Sequence, residues 1–221
     1  MPTDTETPAQ AWKRRAALAG SVDFTMMYVA HDAFNRDLRR LIAAGDAGQG
    51  LSPAAILTWR SFSKQLHTHH TAEDTALWPR LHEAVTDPAE IQVLKEMEAE
   101  HASLDPRLDQ LDAALEAGDA GAFAGELEVL ARGLSRHMIH EEQAALPLLE
   151  RRTGRAGWDA FTKEIRGRQG GLKGAAEYLP WILDDATHAI TANVLALLPP
   201  PARLLYRRWK KSYRHSGRLT R

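Results

Sequence analysis

The 221-residue chain has no cysteine, which excludes disulfides, thiolate metal sites and cysteine nucleophiles together. It also lacks a charge imbalance. With 28 Lys and Arg against 29 Asp and Glu, composition alone points neither to disorder nor to nucleic-acid binding. Long apolar runs are missing: the longest tract, near the C-terminus, is interrupted by Asp184 and Asp185 and closed by Pro199, Pro200 and Pro201. No segment reaches the ~20 apolar residues needed to span a bilayer. The N-terminal stretch MPTDTETPAQAWKRRAALAG has no continuous apolar core and does not read as a secretory signal. These features fit a soluble protein of the reducing cytoplasm. Period-2 alternation is nearly absent, which argues against sheet structure.

Spacings of three and four recur instead. A first segment, about 23–44, carries Met27, His31, Phe34, Leu38 and Leu41 and ends in GDAGQG. A second starts behind Ser52 and Pro53, a cap followed by proline at the first helical position, and runs to about residue 85. Its stripe is Trp59, Phe62, Leu66, His69, Glu73 and Ala76. The third opens at Asp87-Pro88, with Leu94, Met97, His101, Leu104, Leu108, Leu111 and Leu115. The fourth follows Gly121, with Phe123, Leu127, Leu130, Leu134, His137, Glu141, Ala144 and Leu148. Each set lies on one side of a helix, and short polar loops join them. This pattern predicts an all-α protein built on an antiparallel up-down four-helix bundle.

Six residues break the apolar stripes: His31, His69, Glu73, His101, His137 and Glu141. Buried histidine and carboxylate need partners, because desolvation without them costs several kcal/mol. All six fall near the middle of their segments, where antiparallel packing would bring them to one level. A shift of 68 residues lays His69, Glu73, Asp74, Pro79 and Leu81 on His137, Glu141, Glu142, Pro147 and Leu149. A shift of 70 lays His31 on His101. Each half is then a helical hairpin with one histidine on its first helix and His-x-x-x-Glu plus a proline on its second. Two such halves form a pseudo-symmetric pocket of four imidazoles and two carboxylates.

The i, i+4 spacing sets histidine and glutamate on one face, so the histidine can bind a metal terminally while the glutamate bridges to a second. Nitrogen and oxygen donors without sulfur suit iron, manganese, zinc or copper. Two ions sharing these ligands would be unsaturated, with room for solvent, oxygen, peroxide or nitric oxide. In the stretch HTHHTAED, His67 and His70 lie off the stripe and read as solvent-facing or as outer partners of the ligands. His140 also lies off it. Asp74 and Glu142 either orient a ligand histidine from outside or are surface charge. Met97 reads as packing.

His31, then HHTAED with LWP, then EAEH ending at His101, then HMIHEE with LP, resemble the hemerythrin-like (HHE cation-binding) domain over roughly residues 20–152. The resemblance implies a bundle holding a non-haem di-iron centre, oxo- or hydroxo-bridged, with Glu73 and Glu141 as the bridging carboxylates. It places His31 and His69 on one iron and His101 and His137 on the other. The oxygen carriers of that family have a second histidine one turn before the position of His101, where this chain has Met97. The resemblance therefore implies the four-histidine version found in bacterial and iron-sensing members. Such a site is suited to peroxide, nitric oxide or oxygen chemistry in oxidative or nitrosative stress, including catalase-like peroxide decomposition. Iron storage, or iron or oxygen sensing without turnover, is the other reading.

Residues 153–221 read as a helical C-terminal extension. GRAGWDAFTKEIRGRQGG predicts a short helix ended by Gly170-Gly171, and LKGAAEYLPWILDDATHAITANVLALL a longer apolar one. From Ala202 onward there are eight Lys and Arg and no acid, with Leu205, Trp209 and Tyr213 at i, i+4, i+8. A basic amphipathic helix of this kind lies on an anionic membrane surface, contacts nucleic acid, or docks its aromatics on the preceding helix with its cations solvated.

Overall fold

Helix starts follow the cap signals. Ser52 Oγ accepts from Ala55 N at 3.3 Å ahead of Pro53, Asp87 from Ala89 N at 2.7 Å ahead of Pro88, and Asp119 from Ala122 N at 2.9 Å. The computed structural model describes residues 7–219, so residues 1–6 of the N-terminal stretch and Thr220 and Arg221 of the basic tail lie outside the described residues. In chain order come α1 (Pro8–Ala17), α2 (Thr25–Asp46), α3 (Pro53–Ala76), α4 (Trp78–Ala84), α5 (Pro88–Glu116) and α6 (Ala120–His140). A π-helical turn, Glu141–Ala145, leads into α7 (Leu146–Arg152). Then follow α8 (Gly154–Arg168), α9 (Gly171–Ile182), α10 (His188–Leu197) and α11 (Pro200–Arg214). Among the described residues there is no strand, and no helix is long and apolar enough to cross a membrane.

Four long helices close a ring in which α2 packs on α3 and α6, and α5 on α3 and α6. Pairings between neighbours run in opposite directions. Trp59, His70 and His82 meet Asp112, Asp105 and Glu98 in that order, and Glu96, His101 and Arg107 meet His140, His137 and Glu126. The buried side chains form two apolar clusters. One holds Phe34, Trp59, Phe62, Leu104, Leu108, Leu130 and Leu134; the other holds Met27, Trp78, Leu81, Leu94, Met97, Leu146 and Leu149. On every bundle helix, the histidines and glutamates that break the stripe sit between the two. A polar layer thus cuts the core at one level, walled by apolar packing above and below.

The recurring proline leaves a different mark in each half. The second segment does not run unbroken to residue 85: the helix stops at Leu77 and restarts as α4, because Pro79 has no N–H to continue the ladder. At Pro147 the chain widens instead, with Leu146 N bonding Glu141 O across five residues. Such π-turns insert an extra residue into a helix, and this one leaves Glu141 and Glu142 both buried.

The extension also departs from the pattern. The apolar tract is not one helix but breaks between α9 and α10, with Asp185 in the left-handed region at φ 59°. Arg36 of α2 explains the break, since its Nη1 donates to the carbonyls of Trp181 (2.8 Å) and Asp184 (2.9 Å), satisfying the end of α9. Trp181 Nε1 donates to Asp37 at 2.7 Å, and Arg40 pairs with Asp184 and Asp185. In α11 the buried side is Ala202, Tyr206 and Tyr213, with Trp209 partly buried, packed against α9. Its aromatics dock on the protein itself.

Candidate metal centre

His31 (α2), His69 and Glu73 (α3), His101 (α5), His137 (α6) and Glu141 (π-turn) converge in the polar layer, each no more than 4% exposed. The structure brings all six predicted positions together. It adds a seventh: His70 is 1% exposed and not solvent-facing. Its ring stacks on that of His101 with centroids 4.0 Å apart. Ligand atoms of His70, His101 and His137 lie within 4.8 Å of one another, as do those of His31, His69 and Glu141. Glu73 stands between the clusters, Oε1 3.1 Å from His69 Nε2 and Oε2 3.5 Å from His101 Nε2. Glu141 Oε2 is 3.1 Å from His31 Nε2.

The outward nitrogens are held in place. His31 Nδ1 meets Glu142 at 2.8 Å, His70 Nδ1 Asp105 at 2.6 Å, His101 Nδ1 Asp74 at 2.8 Å and His137 Nδ1 Glu100 at 2.8 Å. Asp74 and Glu142 are therefore partners of histidines, each reaching across to the first-helix histidine of the other hairpin. A carboxylate on Nδ1 fixes the tautomer that leaves Nε2 as a lone-pair donor. Glu142 is itself clamped by Arg15 (2.7 Å) and Arg14 (2.8 Å) of α1, and Arg15 also pairs with Asp32 at 2.8 Å. His69 is the exception. Among the described residues no carboxylate meets its Nδ1, and its ring lies against Phe34 and Phe161, centroids 5.4 and 6.1 Å away.

The inward atoms tell whether a cation fits. His31 Nε2, His69 Nε2, His70 Nε2 and both oxygens of Glu73 and Glu141 are buried and make no well-aligned hydrogen bond, the 3.1 Å approaches of His31 to Glu141 and of His69 to Glu73 included. Each such orphan costs roughly 1–3 kcal/mol, and native proteins rarely leave several in one place. Lone pairs pointed at a shared centre are what a cation satisfies, so the donor set fits metal. Titration reflects the same crowding. Burial lifts Glu73 well above the ordinary carboxylate range, with the facing Glu141 adding to it. Burial also pulls His69 down to about 3 and His70 well below the usual histidine value. For His31 burial acts downward too, but Glu141 and Glu142 outweigh it and raise it to about 9.

Sequence reasoning missed His70, Asp105, Glu100 and Arg15. Buried positions of α3 come in adjacent pairs, Thr58/Trp59, Ser61/Phe62, Gln65/Leu66, His69/His70 and Ala72/Glu73. The helix packs on α2, α5 and α8 at once, so its buried face is two columns wide. A single 3–4 stripe captures one column, and the run of small and polar residues in the other was the available signal. His67 is exposed, as its position implied. His140, half-buried, bonds Glu100 at 2.9 Å. Met97 is fully buried packing.

A helical bundle with buried clusters of histidine and glutamate that could bind metal defines a class of cation-binding proteins. The family model for the hemerythrin HHE cation binding domain matches residues 22–149, and the chain belongs to that family. No curated protein and no solved structure matches the chain.

Proposed function

We propose that the two clusters hold a non-haem di-iron centre that binds or reacts with a small ligand of the oxygen, hydrogen peroxide or nitric oxide class. In this reading His31 and His69 serve one ion, His70, His101 and His137 the other, and Glu73 and Glu141 lie between them. The observation that carries it is the convergence of unpartnered Nε2 and carboxylate oxygens on two adjoining points. Bound iron would supply a redox-active cation with coordination positions that the protein does not fill.

The chain's own part is to orient those donors and to wall them with apolar packing. Four of the five imidazoles are oriented by carboxylates on Nδ1. Burial pushes Glu142 upward, but its hydrogen bonds with His31 and then Arg15 outweigh that and hold it at about 2. Apolar clusters wall the layer on both sides. Glu100 joins His137 Nδ1 to His140 Nδ1, a hydrogen-bonded link from the buried layer to a side chain 31% exposed. That link gives a proton a way between centre and surface.

Metal analysis and an optical spectrum of the full chain from iron-replete cells test the proposal. About two irons per chain, with the absorption of a bridged di-iron centre, are expected; their absence would overturn it. Steady-state peroxide decomposition then separates the catalase-like reading from iron storage or sensing. Rates no higher than those of free iron would leave the non-enzymatic one.

A further inference from the structure

Between the bundle and the extension lies a cavity of about 380 Å³ bounded by α2, α3, α8, α9, α10 and α11. Its inner end is built from Met27, Ala30, Phe161 and Leu179, each at most 3% exposed, and reaches His69, the one imidazole of the centre whose Nδ1 meets no carboxylate among the described residues. Its volume falls in the range of small-molecule sites, roughly 300–1,000 Å³. At the outer end Leu172 and Leu197 are 56% and 55% exposed. Among the described residues they are two of four large apolar side chains left exposed. Exposed apolar groups gathered at the mouth of an apolar cavity mark a binding site rather than scattered surface.

One charge borders this cavity. Arg166 is the only charged side chain in the lining, it is exposed, and no acid pairs with it among the described residues. The neighbouring cation of the same helix, Arg168, is taken up by Glu164 at 2.8 Å. An apolar interior closed at one end, with a single unpaired guanidinium at the other, is complementary to one kind of molecule. We propose that the cavity is a binding site for a single-chain amphiphile carrying one negative charge, in chemical class a medium-chain fatty acid. Its chain points inward toward His69 and its carboxylate meets Arg166. Burying the chain supplies most of the affinity, and the exposed ion pair sets the direction of entry. His69 stands only at the far end of the cavity and the affinity comes from the apolar walls and Arg166, so binding is read separately from what the centre holds.

Calorimetric titration of the full chain with dodecanoate, and with dodecanol as the uncharged counterpart, tests it. One dodecanoate per chain is expected at micromolar affinity, with dodecanol about fivefold weaker, the most an exposed pair supplies. Arg166→Gln should bring dodecanoate down to the dodecanol level and leave dodecanol unchanged. Leu172→Asp, on the exposed rim where folding is not at stake, should weaken dodecanoate further by placing a like charge at the mouth. Ala175→Trp fills the cavity and should abolish both. No saturable binding to the wild type would overturn the proposal. So would dodecanoate binding unaffected by Arg166→Gln and Leu172→Asp, or binding that survives Ala175→Trp.

Discussion

On the side of His70, His101 and His137, every imidazole rests its Nδ1 on a carboxylate, supplied by Asp105, Asp74 and Glu100. On the side of His31 and His69 only His31 does, through Glu142. The internal repeat makes this difference exact in position. Glu100 has Ala30 as its counterpart, Asp105 has Asn35, and His70 has Met138. Met138 is buried in the apolar core, and Ala30 lines the cavity that ends at His69. The two hairpins therefore share six inward donors, but His70 has no counterpart and the layers behind the histidines differ. One half is dense in imidazole and acid; the other is sparse, and apolar where its twin is polar. Outer partners raise ligand basicity and hold geometry, so the two halves should bind metal unequally, with the sparse half left accessible to a small ligand.

Removing His70 should erase most of that inequality, and it carries the largest expected effect. Apparent binding energies of roughly 10–16 kcal/mol for four-ligand structural sites put about 3 kcal/mol on each ligand. His70→Ala should thus weaken one of two metal steps by more than a hundredfold and leave the other within a few-fold. Stepwise metal titration followed by competition with a chelator reads both. Equal weakening of the two steps, or of neither, would remove His70 from the ligand set.

Much of this site was legible without coordinates. His31, His69, Glu73, His101, His137 and Glu141 each stand out because a stripe of Leu, Phe and Met has one place too polar to bury alone, and the repeat puts those places in register. The outer layer was harder to read for a physical reason. Asp105, Glu100 and Arg15 are ordinary charged residues on helix flanks, and only the approach of a neighbouring helix gives them a histidine to hold. Arg15 even lies on α1, outside the four stripes. The break between α9 and α10 was hidden likewise, because apolar composition continues across it and the arginines that cap it come from α2.

A second effect separates the two histidines of the sparse half in metal-stripped protein. His31 is raised to about 9 from 6.5, so the stability it contributes is complete below pH 6.5 and is lost as pH rises through 9. A shift of that size corresponds to about 3 kcal/mol. His69 is lowered to about 3, so its contribution is present above 6.5 and is lost as pH falls below it. Stability of the stripped protein should therefore peak near pH 6.5 and decline on both sides. Denaturant midpoints from about pH 5 to 9 measure it, and Glu142→Gln should flatten the alkaline side while sparing the acid side, because Glu142's own contribution changes only below about pH 5. Stability that climbs steadily from pH 6.5 to 9 would show that Glu141 and Glu142 do not hold a proton on His31.

The smallest effect comes from making the dense half resemble the sparse one. Glu100 is held below the ordinary carboxylate range by His137 and His140, against the opposing effect of its partial burial. Glu100→Ala leaves His137 in the condition of His69, with Nδ1 unsupported. Loss of an outer partner typically costs 10–100-fold in metal affinity, about 2 kcal/mol, and here the loss should fall on the dense half alone. The two metal steps should then move closer together. Glu100→Gln, which can still accept from Nδ1 but carries no charge, should lie between the wild type and the alanine variant, because orientation survives and the electrostatic contribution does not. Were glutamine as damaging as alanine, charge rather than orientation would be what Glu100 supplies. Were neither variant to alter the gap between the two steps, the inequality of the halves would lie in the number of imidazoles and not in the layer behind them.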